Sequence, residues 1–157
     1  MTRVERTEVL DGLRATRRYV LSHHEPPDWD RCYTIELPWR DRPGRLCARC
    51  SGIYPGVVLG VFLATRGLLP VSLPLIALLP AFAVGERLLE RETDYGGWNP
   101  LRSGTGLLLG AGYGLGLLAL TDPPRRLGVI AVGVAYAAVA LAILAETPPG
   151  LPRHRSP

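Results

Sequence analysis

The 157-residue sequence contains no lysine: all 18 basic residues are arginine, so each basic group stays charged whatever surrounds it. Cysteine is limited to three residues, all between Cys32 and Cys50, and an odd number cannot be fully paired within one chain. A basic stripe free of acids is also missing. Arginine alternates closely with Asp and Glu through the N-terminal third, and the formal net charge is only +4, which argues against nucleic-acid binding. Met1 to Arg18 lacks the basic stub and apolar core of a secretory signal. With that segment on the cytoplasmic side, the thiols are expected to be reduced.

Charge itself becomes scarce after Gly52. The composition is 47% hydrophobic with a mean hydropathy of +0.14, high for a soluble domain of this length. This uneven distribution predicts a polar N-terminal third followed by a membrane-embedded remainder.

Residues 1–22 read as an amphipathic helix, with Val4, Val9, Leu10, Leu13, Val20 and Leu21 near helical spacing. Its apolar stripe suits either a membrane surface or the following module. Pro26 and Pro27 end any helix after His23 and His24. A strand-like segment from Tyr33 to Leu37 and the Pro43-Gly44 turn signal then predict a small hairpin, with Cys32 at its entry and the Cys47-x-x-Cys50 pair at its exit. This is the layout of a zinc knuckle over residues 23–52.

Four apolar spans follow, at about 53–69, 71–89, 104–120 and 127–145, each near the roughly 20 residues that cross a bilayer. The second carries Pro74 and Pro80 and crosses only if its helix continues through Glu86 to Leu89 or kinks. The expected fold is an all-α membrane protein, four transmembrane helices with a small N-terminal Cys/His hairpin module and a disordered tail at 146–157. Gly52, Gly56 and Gly60 on the first span and Gly106, Gly110 and Gly114 on the third recur every four residues. Such ridges let backbones approach inside lipid and predict contact between these two spans. They equally suit contacts between copies of the chain, as a homo-oligomer.

With an even number of spans, 15 arginines fall on the side of the termini and 3 on the other. The positive-inside rule places that side in the cytosol, so both termini and the cysteines are expected on the cytoplasmic face of the cell membrane.

Cys32, Cys47, Cys50 and either His23 or His24 make a candidate Cys3His zinc site. A closed site of this kind serves structure; an open position would permit metal-assisted hydrolysis, for example in a lipid-modifying enzyme. The same cysteines also suit small apolar fillers. Alternatively, Cys47 and Cys50, flanked by Arg45 and Arg49, form the dithiol of a membrane thiol oxidoreductase. Few charges within the spans speak against a transporter. After the second span, Glu86 and Glu90 share one helix face beside the Arg87 and Arg91 stripe. They are candidate substrate-binding groups or members of weak surface ion pairs. Arg102 is a candidate anchor for a phosphate or carboxylate.

Two blocks, LCARCSGIYPG at Leu46 to Gly56 and NPLRSGTGLLLG at Asn99 to Gly110, together with the upstream Cys32, His23 and His24, resemble domain-of-unknown-function family 2085 of small prokaryotic membrane proteins. The resemblance implies an integral membrane protein with a cysteine-containing site and leaves its activity open. The chain departs from the family pattern in having His-His before the cysteine rather than an adjacent Cys-His. It also has Val84-Gly85-Glu86 where an Asp-Gly is usual.

Overall fold

The computed structural model describes residues 24, 26–36, 38, 43–93, 95 and 97–145. The expected N-terminal helix, His23 and the tail lie outside them. A 3-10 turn, Pro26–Arg31, leads into strand β1, Cys32–Ile35, which pairs antiparallel with β2, Gly44–Cys47. Four helices follow: α1 Ala48–Thr65, α2 Leu73–Glu92, α3 Asn99–Ala119 and α4 Pro123–Ala145. Two of them, α1 and α4, are long and apolar enough to cross a membrane by length and composition.

The helices start earlier than the apolar spans. Cys47 ends β2 and is also the N-cap of α1, so the helix begins without a linker. In α2 and α3 a proline stands in the first turn, Pro74 and Pro100, where its missing N–H costs no helical hydrogen bond. Pro80 does not stop α2, which runs on to Glu92. Its ring packs on α3 at Gly112, where a built Cβ would lie 2.9 Å from the Pro80 Cδ.

The backbone seam between α1 and α3 organises the bundle. A Cβ built on Gly60 would lie 2.6 Å from the Ala111 carbonyl oxygen, and one on Gly114 would lie 2.6 Å from that of Val57. At Gly52, Gly56, Gly106 and Gly110 the facing carbonyls of Ser103, Leu107, Arg49 and Ile53 stand closer still. Six glycines thus interdigitate with six carbonyls, an approach only a residue without a side chain permits, with Cα–H···O contacts along it. Facing residues rise together along both helices, so α1 and α3 run parallel.

Helix α2 returns against α3. Ile76, Leu115 and Ala119 form the buried apolar cluster at the end remote from the hairpin. α4 packs more loosely and contributes no buried residue. It is tied to α2 by the Tyr136 hydroxyl, which donates to the Ala77 carbonyl, and by Gly128, which faces Leu73.

Candidate functional site

Hairpin register determines where the thiols sit. Cys32 is the direct cross-strand partner of Cys47, at the open end of the ladder, and both are buried. Cys50 lies one helical turn beyond Cys47, hydrogen-bonds with it, and feels the charge of Cys32. The His24 Nε2 lies 3.4 Å from the Cys47 Sγ. The structure therefore brings Cys32, Cys47, Cys50 and His24 to one place, with all three cysteines unoxidised. Among the described residues, no group of three or more His, Cys, Asp or Glu side chains stands ready-arranged around a metal position.

The hairpin is fastened to the bundle by a small hydroxyl network. The Tyr33 hydroxyl and the Ser103 Oγ are 2.9 Å apart. The Ser103 Oγ donates to the Ala48 carbonyl at 2.8 Å and lies 3.1 Å from the Ser51 Oγ. These bonds join β1, the start of α1 and the start of α3 beside the cysteines. A tyrosine in a strand and two serines at helix entrances carry no recognisable spacing, and the sequence did not single them out.

Next to this lies a cluster of charges that differs from the expected surface pairs. The side chains of Glu86, Glu90 and Arg102 are only 2%, 7% and 4% exposed. Glu90 Oε1 accepts from the Arg31 Nη2 at 2.7 Å and from the Arg102 Nη2 at 2.8 Å, while its Oε2 accepts from the Arg87 Nη1 at 3.0 Å. The Arg49 Nη2 donates to the Glu86 Oε2. Among the described residues Glu86 Oε1 has no hydrogen-bond partner, although the Arg102 Nε stands 3.9 Å away. Burial by itself would raise the Glu90 pKa, but the hydrogen bonds and charges of Arg31 and Arg102 outweigh it and bring it from 4.5 down to about 2.

Arg102, the candidate anchor for a phosphate or carboxylate, donates to the chain's own Asn99 Oδ1 at 3.0 Å and to Glu90. Gly97, at φ +79°, makes this possible. A side chain there would occupy the volume of the Arg102 guanidinium, and the positive φ also disfavours one. Asn99 in turn donates to the Asp30 carbonyl at 2.9 Å. Arg31 belongs to the cluster because the hairpin segment lies against α2, and Arg49 because the first turn of α1 does. Exposed pairs of the expected kind do occur, as at Arg91 and Glu92, 3.3 Å apart.

Residues 36–116, which hold the second half of the hairpin, the seam and most of the charged cluster, match the family model described as predicted membrane protein (DUF2085). No curated protein and no solved structure matches the chain. With just over half of its length covered by that model, the chain belongs to the DUF2085 family of predicted membrane proteins.

Proposed function

We propose that the chain is a four-span membrane protein whose hairpin binds one zinc ion through Cys32, Cys47, Cys50 and His24 at the cytoplasmic mouth of the bundle. One separation carries the reading. Two ligands of a tetrahedral zinc, with Zn–S near 2.3 Å and Zn–N near 2.0–2.1 Å, stand about 3.5 Å apart. The Cys47 Sγ and His24 Nε2 are 3.4 Å apart. The cross-strand pairing of Cys32 with Cys47 and the single helical turn from Cys47 to Cys50 support the same reading, since both residues stand next to Cys47. Bound there, zinc would supply no redox step but a cross-link between hairpin and helix, while the chain's residues hold the strand ends together and keep water from the buried thiols of Cys32 and Cys47.

The four-span reading rests on the seam and on length. If α1 crosses the lipid, α3 crosses with it, because their glycines interlock over three helical turns. From Leu73 to Leu89 α2 is about 25 Å long, and the 21 residues of α3 make about 31 Å, both near the thickness of the hydrocarbon layer. Val58, Phe62, Leu78, Phe82, Leu117 and Leu141 are all exposed, an apolar outer surface that suits lipid better than water. The arginine asymmetry puts the hairpin end in the cytosol.

Metal analysis of the detergent-purified, reduced chain tests the site. About one equivalent of zinc per chain is expected, falling to background in Cys32→Ser and His24→Ala. Substoichiometric metal in the wild type, with no change in melting temperature on adding a chelator, would sink the proposal. A reversible Cys47–Cys50 disulfide in that same metal-free protein would establish the thiol oxidoreductase in its place.

A further inference from the structure

Away from the cysteines, a cavity of about 650 Å³ runs between α2, α3 and α4, within the roughly 300–1,000 Å³ typical of small-molecule sites. It extends from Leu120 and Val129 at the end remote from the hairpin to Ile143, Leu144, Arg49 and Arg87 at the hairpin end. Nearly all its wall is apolar, and the charged groups are confined to that one end. The hollow exists because side chains are missing. Gly116 and Gly133 both line it; a Cβ on Gly116 would be 3.7 Å from its nearest neighbours, and one on Gly133 would meet nothing within 4 Å.

We propose that this groove binds an anionic phospholipid, with one acyl chain lying along Gly116 and Gly133 and the phosphate resting on Arg49 and Arg87. Shape supports the chain: the groove is long, apolar and parallel to helices of membrane length. Charge supports the headgroup. The bonded cluster joins four guanidinium groups, those of Arg31, Arg49, Arg87 and Arg102, to three carboxylates, those of Asp28, Glu86 and Glu90, an excess of one positive charge.

Arg49 and Arg87 are the two members of that cluster that reach the groove. Their bonds to Glu86 and Glu90 each engage one terminal nitrogen, Nη2 of Arg49 and Nη1 of Arg87. A guanidinium has five N–H donors, so both can also donate to a phosphate in the forked geometry that arginine favours. The polar group on α4 nearest the middle of the groove, the Tyr136 hydroxyl, is turned to the Ala77 carbonyl and leaves the centre apolar. A zwitterionic lipid would bring its own cation to the arginines and lose that advantage. No cysteine lines the groove, so this site stands or falls independently of the zinc.

The test uses the full chain in mild detergent, titrated with phosphatidylglycerol or with phosphatidylcholine of identical acyl chains and read by native mass spectrometry. One phosphatidylglycerol per chain is expected, bound about tenfold more tightly than phosphatidylcholine, whose phosphate is the same but whose choline cation the arginines repel. Gly133→Leu fills the groove without a clash and is expected to weaken both lipids about tenfold or more. Gly85→Leu, on α2 where a Cβ also meets nothing within 4 Å but outside the groove, should bind as wild type does. Arg87→Gln is expected to remove the headgroup preference and keep chain binding. Equal affinity for the two lipids, or unchanged binding in Gly133→Leu, would overturn the proposal. So would a dimer that Gly133→Leu dissociates, because a second copy would then be the occupant.

Discussion

Replacing Gly60 by alanine isolates the seam between α1 and α3 from every other feature of the bundle. The added methyl would stand 2.6 Å from the Ala111 oxygen and 2.9 Å from the Ala111 Cα, where a carbon–oxygen contact of about 3.3–3.6 Å is normal. Relief requires the two backbones to part by most of an ångström. The opposing atoms are main chain within a regular helix and cannot swing aside as a side-chain end would. Because Gly52 and Gly56 lie on the same face against Ser103 and Leu107, moving α1 away at Gly60 also loosens contacts one and two turns back. Overpacking of this kind costs about 1–3 kcal/mol, set against a gain of about 1 kcal/mol from putting alanine in place of glycine in a helix. The net expectation is a loss of up to about 2 kcal/mol against wild type, and of about 1–3 kcal/mol against a glycine-to-alanine change that meets no neighbour. Gly104→Ala and Gly85→Ala are the controls, since neither Cβ meets anything within 4 Å and only the propensity gain remains. Reversible unfolding in mixed micelles, followed by far-ultraviolet circular dichroism, would read all three shifts against wild type. If Gly60→Ala moved with the two controls, the parallel interlock of α1 and α3 would be wrong.

Three further outcomes follow from the polar contacts. Glu90 lies beyond the expected 71–89 span and has its pKa lowered from 4.5 to about 2, so its contribution to stability is complete above about pH 5 and is lost as pH falls toward about 2. A pH series of unfolding midpoints should show a decline of order 1–3 kcal/mol over that window, and Glu90→Gln should lack this component. Arg102→Lys keeps the charge but loses the fork that serves Glu90 and Asn99 together; it should destabilise by about 1–3 kcal/mol in the same unfolding assay. Tyr136→Phe removes the bond to the Ala77 carbonyl and about 1 kcal/mol, seen as faster hydrogen exchange across Pro123–Ala145 with α1 to α3 unchanged.

The parts of the molecule that were legible in the sequence are those whose signal is local. Glycines every fourth residue mark one face of a helix, and Gly52, Gly56 and Gly60 needed only a matching ridge on α3 to imply close approach. Strand-forming residues around a Pro-Gly turn likewise implied a hairpin with Cys32 and Cys47 at its two ends. The charged cluster was not legible, because Glu86 and Glu90 at i, i+4 look the same on a buried face as on a wet one. Their partners Arg31 and Arg49 are 59 and 37 residues away and meet them only once the hairpin segment and the first turn of α1 pack beside α2. Helix starts were missed for a related reason: Ala48 to Gly52 and Asn99 to Ser103 are polar enough to read as loop, but the seam and the Ser103 hydroxyl hold them helical. A cavity made by the absent side chains of Gly116 and Gly133 leaves no positive mark in a sequence at all.

The position of the cysteines follows from the same interlock. Gly106 stands against the carbonyl of Arg49 and Gly52 against that of Ser103, so the first turn of α1, which carries Cys50, is fixed to α3 by main-chain contacts. Ser103 then binds the Ala48 carbonyl and Tyr33, which places β1, and with it Cys32, relative to that turn. Arg31, the residue before Cys32, is held by Glu90 of α2. Contacts with three helices therefore position the segments that carry the thiols, and loosening of the seam should be felt at the sulfurs. If the site holds zinc as proposed, Gly52→Ala, which contains all three cysteines and His24, should lower zinc affinity as well as stability. A metal content unchanged in a destabilised but folded Gly52→Ala would show instead that the hairpin gathers its ligands without help from the bundle.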